Sequence, residues 1–336
     1  MGDTVLFSLV AGRFAALARA GEAVTVLLRH DGAKTAFCLP PGITVETVDF
    51  GRFDKSLGYR WQMLERLYRA NYRLAVTTDF LRHPYLDEAM IAAAAAPEAA
   101  AMLARAWPKY DAALFANRAL YTRLFDSGDA RRDKVVRWSD FANWLNGTTL
   151  EPPKVKLPAE RLTAPAPSPD GRREIIVQPF SAVAAKQPDV ACYLALADAL
   201  PAGMHMRITG IQADLDANPQ FQKLIEKQNV EFDSSTFAEI CARLQAAELV
   251  VSVDTALMHL AVALGAPTLC LASAAYVGEI VPYDPRIRPG NVAFLYQEMP
   301  CQGCLGACVH PLKDQRYPCA DALTPERVVA AVLDRF

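Results

Sequence analysis

The sequence predicts an α/β protein made of two Rossmann-like halves joined by a proline-rich segment. Strand-like runs rich in β-branched residues alternate with helical segments in both halves, which implies parallel sheets covered by helices on both faces. The 336 residues exceed the size at which one hydrophobic core normally stops growing. The alternation lapses at residues 151–173, where six prolines interrupt it. These observations favour two domains with a boundary near the middle of the chain.

The first half is predicted to begin with three strands separated by helices. Residues 24–30, 43–50 and 72–80 are β-branched runs bounded by glycine, proline or polar turns. Residues 14–20 and 60–70 are predicted helices, and in the second of them apolar residues recur at helical spacing.

Two further segments of the first half have a biased composition. Alanine dominates residues 88–107, which we interpret as two packed helices broken at Pro97 because alanine is the strongest helix former. A basic group follows, and we interpret it as a solvated helix or loop face, with a contact to an acidic lipid headgroup or acceptor as the alternative. The group consists of Arg131, Arg132, Lys134 and Arg137.

Residues 151–173 lack apolar periodicity and are predicted to be an extended linker. We therefore predict an N-terminal domain at 1–160 and a linker proper at 161–173. A second domain follows at 174–323, and a closing helix at 324–336 completes the predicted elements.

Strand and helix patterns resume beyond the linker. The closing helix is well signalled, with Thr324 as its N-cap and Pro325 at its first position. The remaining predicted elements are strands at 174–180, 205–210 and 249–253, and helices at 190–200, 221–228 and 237–247.

Composition excludes several classes of protein. The chain is 52% hydrophobic and 21% charged, and its net charge of -2 gives no global electrostatic case for binding nucleic acid. No apolar run approaches the roughly 18 residues that span a bilayer. No secretion signal is recognisable either, so we predict a cytoplasmic protein.

The segment 250–271 is the most informative part of the sequence. It is typical of a buried strand, an acid-hydroxyl turn, a short helix with one histidine, and a second strand. Asp254, Thr255 and His259 would then meet at the carboxyl end of a strand, where open α/β sheets bind ligands. The helix N-terminus there offers unpaired N–H groups to a phosphate. The alternatives are an ordinary helix cap and a buried core histidine.

This segment resembles the signature of glycosyltransferase family 9, the family of the lipopolysaccharide heptosyltransferases. Three other places support the resemblance: residues 2–6, 177–188, and 301–319 with the helix that follows. The first resembles the family's Gly-Asp motif, the second its phosphate-binding loop, and the third a cysteine cluster common in its members. The signature consists of Asp254, Thr255, Ala256, His259, Ala261, Ala263, Gly265 and Pro267.

The resemblance implies a GT-B fold, in which two Rossmann-like domains face each other across a cleft. The domain at 1–160 would then be the acceptor side, and the domain at 174–323 would hold the nucleotide-sugar donor. It also implies inverting, metal-independent transfer of a sugar from a nucleotide-diphosphate donor, with ADP-heptose favoured. The acceptor would be a hydroxyl of a bacterial surface glycan or a lipid-linked lipopolysaccharide precursor. Peripheral contact with the inner membrane fits such an acceptor, and no nucleic acid partner is expected.

The resemblance also assigns Asp3 as the general base that removes the acceptor's proton. An aspartate in a partly desolvated cleft would have a raised pKa suited to this task. Family members generally have a β-strand before the Gly-Asp pair, whereas Asp3 lies three residues from the start of this chain. Chain ends fray unless they are tied down, so a frayed Asp3 is expected.

The remaining assignments concern the donor. Lys186 would stabilise charge on the departing diphosphate, and His259 would donate a hydrogen bond to a phosphate oxygen. Ser181 would contact phosphate, Asp214 the ribose hydroxyls, and Ser235 the nucleotide base. Ala256 stands where glycine is common in the family, so its methyl group would crowd the donor or shift its preference.

Four cysteines near the C-terminus have the spacing C-x2-C-x3-C-x10-C. Four thiolates this close are candidates for a structural zinc site, and free or oxidised thiols are the alternative. No cofactor is expected to be required for catalysis. The cysteines are Cys301, Cys304, Cys308 and Cys319, with His310 as a substitute ligand.

Two other functions stay open from sequence. A sugar-nucleotide epimerase of the same fold would carry additional acid and base residues in the cleft. A catalytically degenerate member would bind a sugar nucleotide or a partner without turnover, and the position of Asp3 and the methyl group of Ala256 are compatible with that.

Overall fold

The computed structural model describes residues 1–128, 131–166 and 171–336. The strands within these ranges form three sheets, and every strand pairing within the sheets is parallel. The two-stranded sheet contains β1 (Val24–Arg29) and β2 (Ile43–Val48). The three-stranded sheet has the order β3 (Leu74–Thr77), β4 (Glu98–Met102), β5 (Arg123–Phe125).

The third sheet has six strands and belongs to the second half of the chain. Its strands are β6 (Arg173–Gln178), β7 (Met204–Thr209), β8 (Val230–Asp233), β9 (Leu249–Val253), β10 (Thr268–Leu271) and β11 (Val292–Leu295), in the spatial order β11-β10-β9-β6-β7-β8.

Helices cover the sheets and connect their strands. The α-helices in the described ranges are α1 (Gly2–Ser8), α2 (Ala11–Ala15), α3 (Phe50–Lys55), α4 (Leu57–Arg69), α5 (Asp87–Ala94), α6 (Asp111–Ala116), α7 (Lys134–Asn146), α8 (Val190–Ala199), α9 (Gln212–Ala217), α10 (Gln222–Ile225), α11 (Phe237–Ala246), α12 (Ala256–Ala263), α13 (Pro318–Asp321) and α14 (Pro325–Leu333). None of them is long and apolar enough to cross a membrane.

The six-stranded sheet owes its stability to strands that are buried on both faces. All five residues of β9 are buried, as expected for a central parallel strand covered by helices. The chain order reverses between β6 and β9: from β6 the chain runs outward to β7 and β8, and from β9 it runs the other way to β10 and β11. Such a reversal opens a crevice at the carboxyl ends of the two strands, where ligands bind.

The alanine-rich segment is not a pair of helices, so that prediction was wrong. Helix α5 ends at Ala94, and its C-cap residue Ala95 adopts a left-handed conformation with φ of 47°. The following alanines form β4, the central strand of the three-stranded sheet, and Ala99, Ala100 and Ala101 are buried there. Burial between neighbouring strands has overridden the helix propensity of alanine.

Smaller departures occur at other predicted elements. The helix predicted at 14–20 lies earlier in the chain, because α2 ends at Ala15. The closing helix is confirmed: Thr324 is its N-cap, and the Thr324 side chain accepts a hydrogen bond from the Arg327 amide.

The proline-rich segment is extended but not free. The Val155 amide donates to the Ile287 carbonyl at 2.9 Å, and the Leu157 amide donates to the Ala263 carbonyl at 2.7 Å. The side chains of Val155 and Leu157 are buried. Residues 167–170 of the predicted linker lie outside the described residues, and the domain boundaries stay a prediction.

A buried ion pair fixes the loop between β3 and α5. The Arg82 guanidinium lies 3.1 Å from the Glu88 carboxylate and donates to the carbonyls of Asp79 and Met102 at 2.9 and 2.8 Å. The Tyr121 hydroxyl and the Asn117 side-chain amide also donate to the Glu88 carboxylate. Every partner of this network lies in the first half of the chain, so the loop conformation is set there.

Replacing Arg82 with methionine should lower the free energy of unfolding by about 3 kcal/mol, because Glu88 would keep a buried charge without its counterion. Urea unfolding followed by circular dichroism measures this change. The matched control is Arg69→Met, which removes an exposed pair with Glu65 and should cost less than about 1 kcal/mol. Equal losses in the two variants would contradict the importance of the buried pair.

Candidate active site

The site lies where β6 and β9 diverge, and an ion pair joins the segments that follow these strands. Lys186 follows β6, and Asp254 follows β9 directly. The Lys186 ammonium donates to the Asp254 carboxylate at 2.9 Å and to the Asp254 carbonyl at 3.0 Å. Both side chains are buried, and the ammonium also lies 4.6 Å from the centre of the Tyr276 ring. Lys186 is therefore an interior cation.

His259 completes this cluster from the first turn of α12. Its Nε2 lies 3.5 Å from the Asp254 carboxylate, and its Nδ1 lies 2.7 Å from the Tyr283 hydroxyl. The ring is 3% exposed. His259 is therefore buried, as the core interpretation required, but it also contacts the aspartate of the motif. Two polar partners on opposite ring nitrogens fix the orientation of the imidazole.

Burial opposes ionisation of Asp254, but the hydrogen bond from His259 and the charge of Lys186 outweigh it and lower the pKa of Asp254 to about 2. The carboxylate is therefore negatively charged at physiological pH. A negative group in this position repels phosphate, so Asp254 is suited to orienting Lys186 and His259 rather than to contacting a diphosphate itself.

Thr255 occupies the N-cap position of α12 but does not cap the helix with its side chain. Its hydroxyl lies 3.3 Å from the Ser252 hydroxyl, and the residue is only partly buried. The backbone N–H groups at the start of α12 follow directly, with Ala256 as the first helical residue. A hydroxyl and a helix N-terminus at one strand end are suited to an anionic group.

The other predicted donor residues follow the neighbouring strands on the same edge. Ser181 follows β6, Asp214 follows β7 and Ser235 follows β8, so the three lie in sequence along the carboxyl edge of the sheet. Ser181 accepts a turn hydrogen bond from the amide two residues later, and Asp214 accepts one from the Ile211 amide at the start of α9. Ser235 is exposed. Their proposed roles toward a ligand stay predictions.

Asp3 reaches this site because α1 packs against α12. Gly2 permits the contact: a Cβ atom at this position would lie 3.0 Å from His259 Cδ2 and 3.6 Å from Ala256 Cα. Both oxygens of the Asp3 carboxylate accept hydrogen bonds from the Lys134 ammonium at 2.9 Å. The expectation of a frayed Asp3 was therefore wrong, since a helix, a close packing contact and an ion pair hold it.

The pKa of Asp3 also differs from the prediction. Burial raises it, but the Lys134 ammonium, followed by His259, outweighs burial, so the net pKa is lowered rather than raised. The same pair raises the pKa of Lys134, because the Asp3 charge outweighs the effect of burial on the ammonium. The Asp3 carboxylate is therefore ionised at neutral pH.

The basic group after β5 is only in part a solvated face, since Arg131 is exposed but two of the other residues are not free in solvent. Arg137 is 3% exposed, and Lys134 is the partner of Asp3. Asp133 signals the helix that carries them, because its carboxylate caps the amides of Val135 and Val136. An N-cap followed by apolar residues indicated a packed helix, and that signal was available in the sequence.

Two further residues of the site were not anticipated. Tyr283 contacts His259, and Glu279 forms an ion pair with Arg105 at 3.1 Å. The Glu279 carbonyl accepts the Lys134 amide at 3.0 Å, so this segment joins the two halves next to Asp3. No local pattern marks Tyr283 or Glu279, since each acts through a contact that is distant in sequence.

The four clustered cysteines line one small cavity together with His310. All four are free thiols, and burial raises the pKa of Cys319. Among residues 1–128, 131–166 and 171–336, no three His, Cys, Asp or Glu side chains are grouped to hold a metal ion. The zinc site stays a prediction.

The segment that contains the four cysteines also supports the loop that carries Lys186. The Gly303 amide donates to the Ala274 carbonyl, and the Tyr317 amide donates to the Ala185 carbonyl, both at 2.9 Å. Ala185 immediately precedes Lys186, so the hydrogen bond from Tyr317 helps to fix the backbone beside Lys186.

Solved structures with this architecture cover the whole chain. The E. coli heptosyltransferase WaaC, solved with ADP-2-deoxy-2-fluoro heptose, is 16% identical, with 100% of this chain and 97% of that chain covered and a TM-score of 0.66. The E. coli ADP-heptose lps heptosyltransferase II is 13% identical, with 99% and 95% covered and a TM-score of 0.68. A family 9 glycosyl transferase from Veillonella parvula is 16% identical, with 99% and 93% covered and a TM-score of 0.67.

These likenesses show a GT-B fold. No match was found among curated protein sequences. The family model described as glycosyltransferase family 9 (heptosyltransferase) matches residues 99–306, which is more than half of the chain. The protein therefore belongs to glycosyltransferase family 9 and is a heptosyltransferase-like glycosyltransferase.

Proposed function

We propose that this protein transfers heptose from an ADP-linked donor to a hydroxyl of a lipopolysaccharide precursor, with inversion and without a catalytic metal. The observation that carries the proposal is the cluster of Lys186, Asp254 and His259 at the strand switch point, with Asp3 packed beside it. The ADP and ADP-2-deoxy-2-fluoro heptose in the E. coli WaaC structures support an ADP-linked donor. The proposal places the donor on 174–323 and the acceptor on 1–160, at the cytoplasmic side of the inner membrane.

The reaction proceeds as a single displacement. Asp3 accepts the proton of the acceptor hydroxyl while the hydroxyl oxygen attacks the anomeric carbon. The bond between that carbon and the diphosphate oxygen breaks, and ADP leaves with the electron pair. Attack from the face opposite the leaving group inverts the anomeric centre.

Charge on the departing diphosphate is stabilised by groups that are already in place. The Lys186 ammonium, the Thr255 hydroxyl and the N-terminal amides of α12 lie at one end of the sheet. Preorganised donors of this kind stabilise developing charge without reorganisation, which is the role that a metal ion has in other transferases. Structural zinc at the cysteine cluster would leave this chemistry unchanged.

Replacing Lys186 with methionine should weaken ADP binding at least about tenfold, because the diphosphate loses its buried cation. Isothermal titration calorimetry with ADP measures this change. The matched control is Lys156→Met, an exposed lysine of the extended segment, which should leave the affinity unchanged. If Lys186→Met binds ADP as tightly as the unmodified protein while remaining folded, the proposed donor site is wrong.

Replacing Asp3 with asparagine should reduce transfer by about 10²- to 10⁴-fold while leaving ADP affinity unchanged, since the variant keeps the shape but not the basicity. The assay follows transfer from ADP-heptose to a heptose-free lipopolysaccharide precursor in the presence of EDTA. Asp31→Asn, an exposed carboxylate near the same chain end, is the control. Full activity of Asp3→Asn would exclude Asp3 as the base, and loss of activity in EDTA would exclude metal independence.

Replacing Lys134 with methionine should move the acidic limb of the pH profile of kcat/KM to higher pH. Lys134 lowers the pKa of Asp3, so in the unmodified protein the base form persists below the ordinary value of 3.8. Without the ammonium, that pKa rises and activity is lost at a higher pH as the pH falls. Lys134→Arg should retain the original limb, and an unmoved limb in Lys134→Met would mean that another group titrates.

A further inference from the structure

The outer face of α4 carries an apolar stripe that no part of the described chain covers. Leu57, Trp61 and Tyr68 are 86%, 68% and 66% exposed. Their spacing of four and seven residues places them on one side of the helix. Met63 and Leu67 are buried on the opposite side and hold the helix against the first half. Exposed side chains of this size in one row mark an interaction surface.

The stripe continues onto the loop between β3 and α5. Leu81 and Tyr85 are 52% and 56% exposed, and the Arg60 guanidinium of α4 donates to the Tyr85 carbonyl at 2.9 Å. Arg82 anchors this loop in the interior, so the two exposed side chains project from a fixed backbone. We call the resulting surface the apolar face; it consists of Leu57, Trp61, Tyr68, Leu81 and Tyr85.

Basic residues are in excess along the segment that contains α4. Residues 50–70 contain five basic and two acidic side chains, whereas the whole chain has a net charge of -2. Arg66 and Arg69 pair with glutamates on the surface, and exposed pairs of this kind are weak enough to exchange for other anions. A surface that combines Trp, Tyr and Leu with a local excess of Arg and Lys is complementary to an anionic lipid bilayer.

The apolar face is connected to the base by a short segment of chain. The loop that carries Leu81 and Tyr85 begins at Thr78, whose carbonyl accepts the Trp138 indole N–H at 2.8 Å. Trp138 lies on α7, one turn beyond Lys134, the partner of Asp3. Asp79 is close enough to this pair that the Asp3 charge contributes to its raised pKa of about 6, after burial and Asp87. The loop that carries Leu81 and Tyr85 therefore connects the apolar face with the surroundings of Asp3.

We propose that the apolar face docks on the surface of an anionic phospholipid bilayer, with Trp61 and Tyr68 at the level of the headgroups. Indole and phenol rings prefer this depth because one edge is apolar and the other is polar. The choice of partner rests on the proposed function, since a lipopolysaccharide precursor is presented by a membrane. The surface itself is separate from the donor site.

The test uses the full chain and sedimented vesicles of two compositions: phosphatidylethanolamine with phosphatidylglycerol, and phosphatidylcholine alone. The protein should bind the anionic vesicles, and added salt should weaken the binding. The double variant Trp61→Ser, Tyr68→Ser should reduce the bound fraction at least about tenfold. The matched control, Leu150→Ser, changes a side chain that is 55% exposed outside the face and should bind like the unmodified protein.

ADP affinity, measured on the same samples, separates this proposal from the proposed function. Vesicle binding that is absent, equal for both lipid compositions or unchanged in the double variant would overturn the docking surface, even where ADP binds normally. A dimer that the double variant converts to a monomer, with vesicle binding unaffected, would make the face a contact between two copies and would also overturn it. Vesicle binding without ADP binding would overturn the donor site alone.

Discussion

The ion pair between Lys186 and Asp254 is the interaction on which the site depends. It joins the segments after β6 and β9 across the point where the sheet reverses its order, and it also orients His259. A buried charge pair contributes little net stability, because both groups lose their hydration. Its main effect here is to fix the positions of the two side chains relative to each other. Under the proposed function, an incoming diphosphate would compete with Asp254 for the same cation. Donor binding would then be an exchange of partners for Lys186, which would lower affinity for ADP and favour its release after transfer.

A second lysine and aspartate form an ion pair between α7 and α1. Lys134 holds Asp3 in place and keeps it ionised, but it also makes the carboxylate a weaker base than an isolated one. In the proposed reaction, a base of this modest strength would be adequate, because the proton leaves as the new bond forms and the leaving group provides much of the driving force. The proposed site thus contains two lysine–aspartate pairs: Lys186 with Asp254 is buried, and Lys134 with Asp3 is partly exposed.

The grouping of Asp254, Thr255 and His259 could be predicted from sequence, and the partner of Asp3 could not. Asp254, Thr255 and His259 act within one strand and one helix, so local spacing was sufficient to bring them together. Lys134 and Asp3 are separated by 131 positions in the sequence, and a hydrophobic periodicity cannot predict a contact over such a separation. The strand at Glu98–Met102 was misassigned for a related reason: its alanines favour a helix locally, and only the neighbouring strands make them a sheet.

The packing of α1 restricts how the two halves of the chain can move. Helices α1, α7 and α12 contribute to one hydrophobic cluster that includes Val5, Phe141 and Leu257. This cluster joins the helix that carries Asp3 to the helices that carry Lys134 and His259. Swinging the two halves apart as rigid bodies would expose it to water, at a cost of roughly 25 cal/mol for each Å² of apolar surface. Substrate entry and exit are therefore expected to involve loops at the rim of the cleft, with the reacting groups kept in register throughout the cycle.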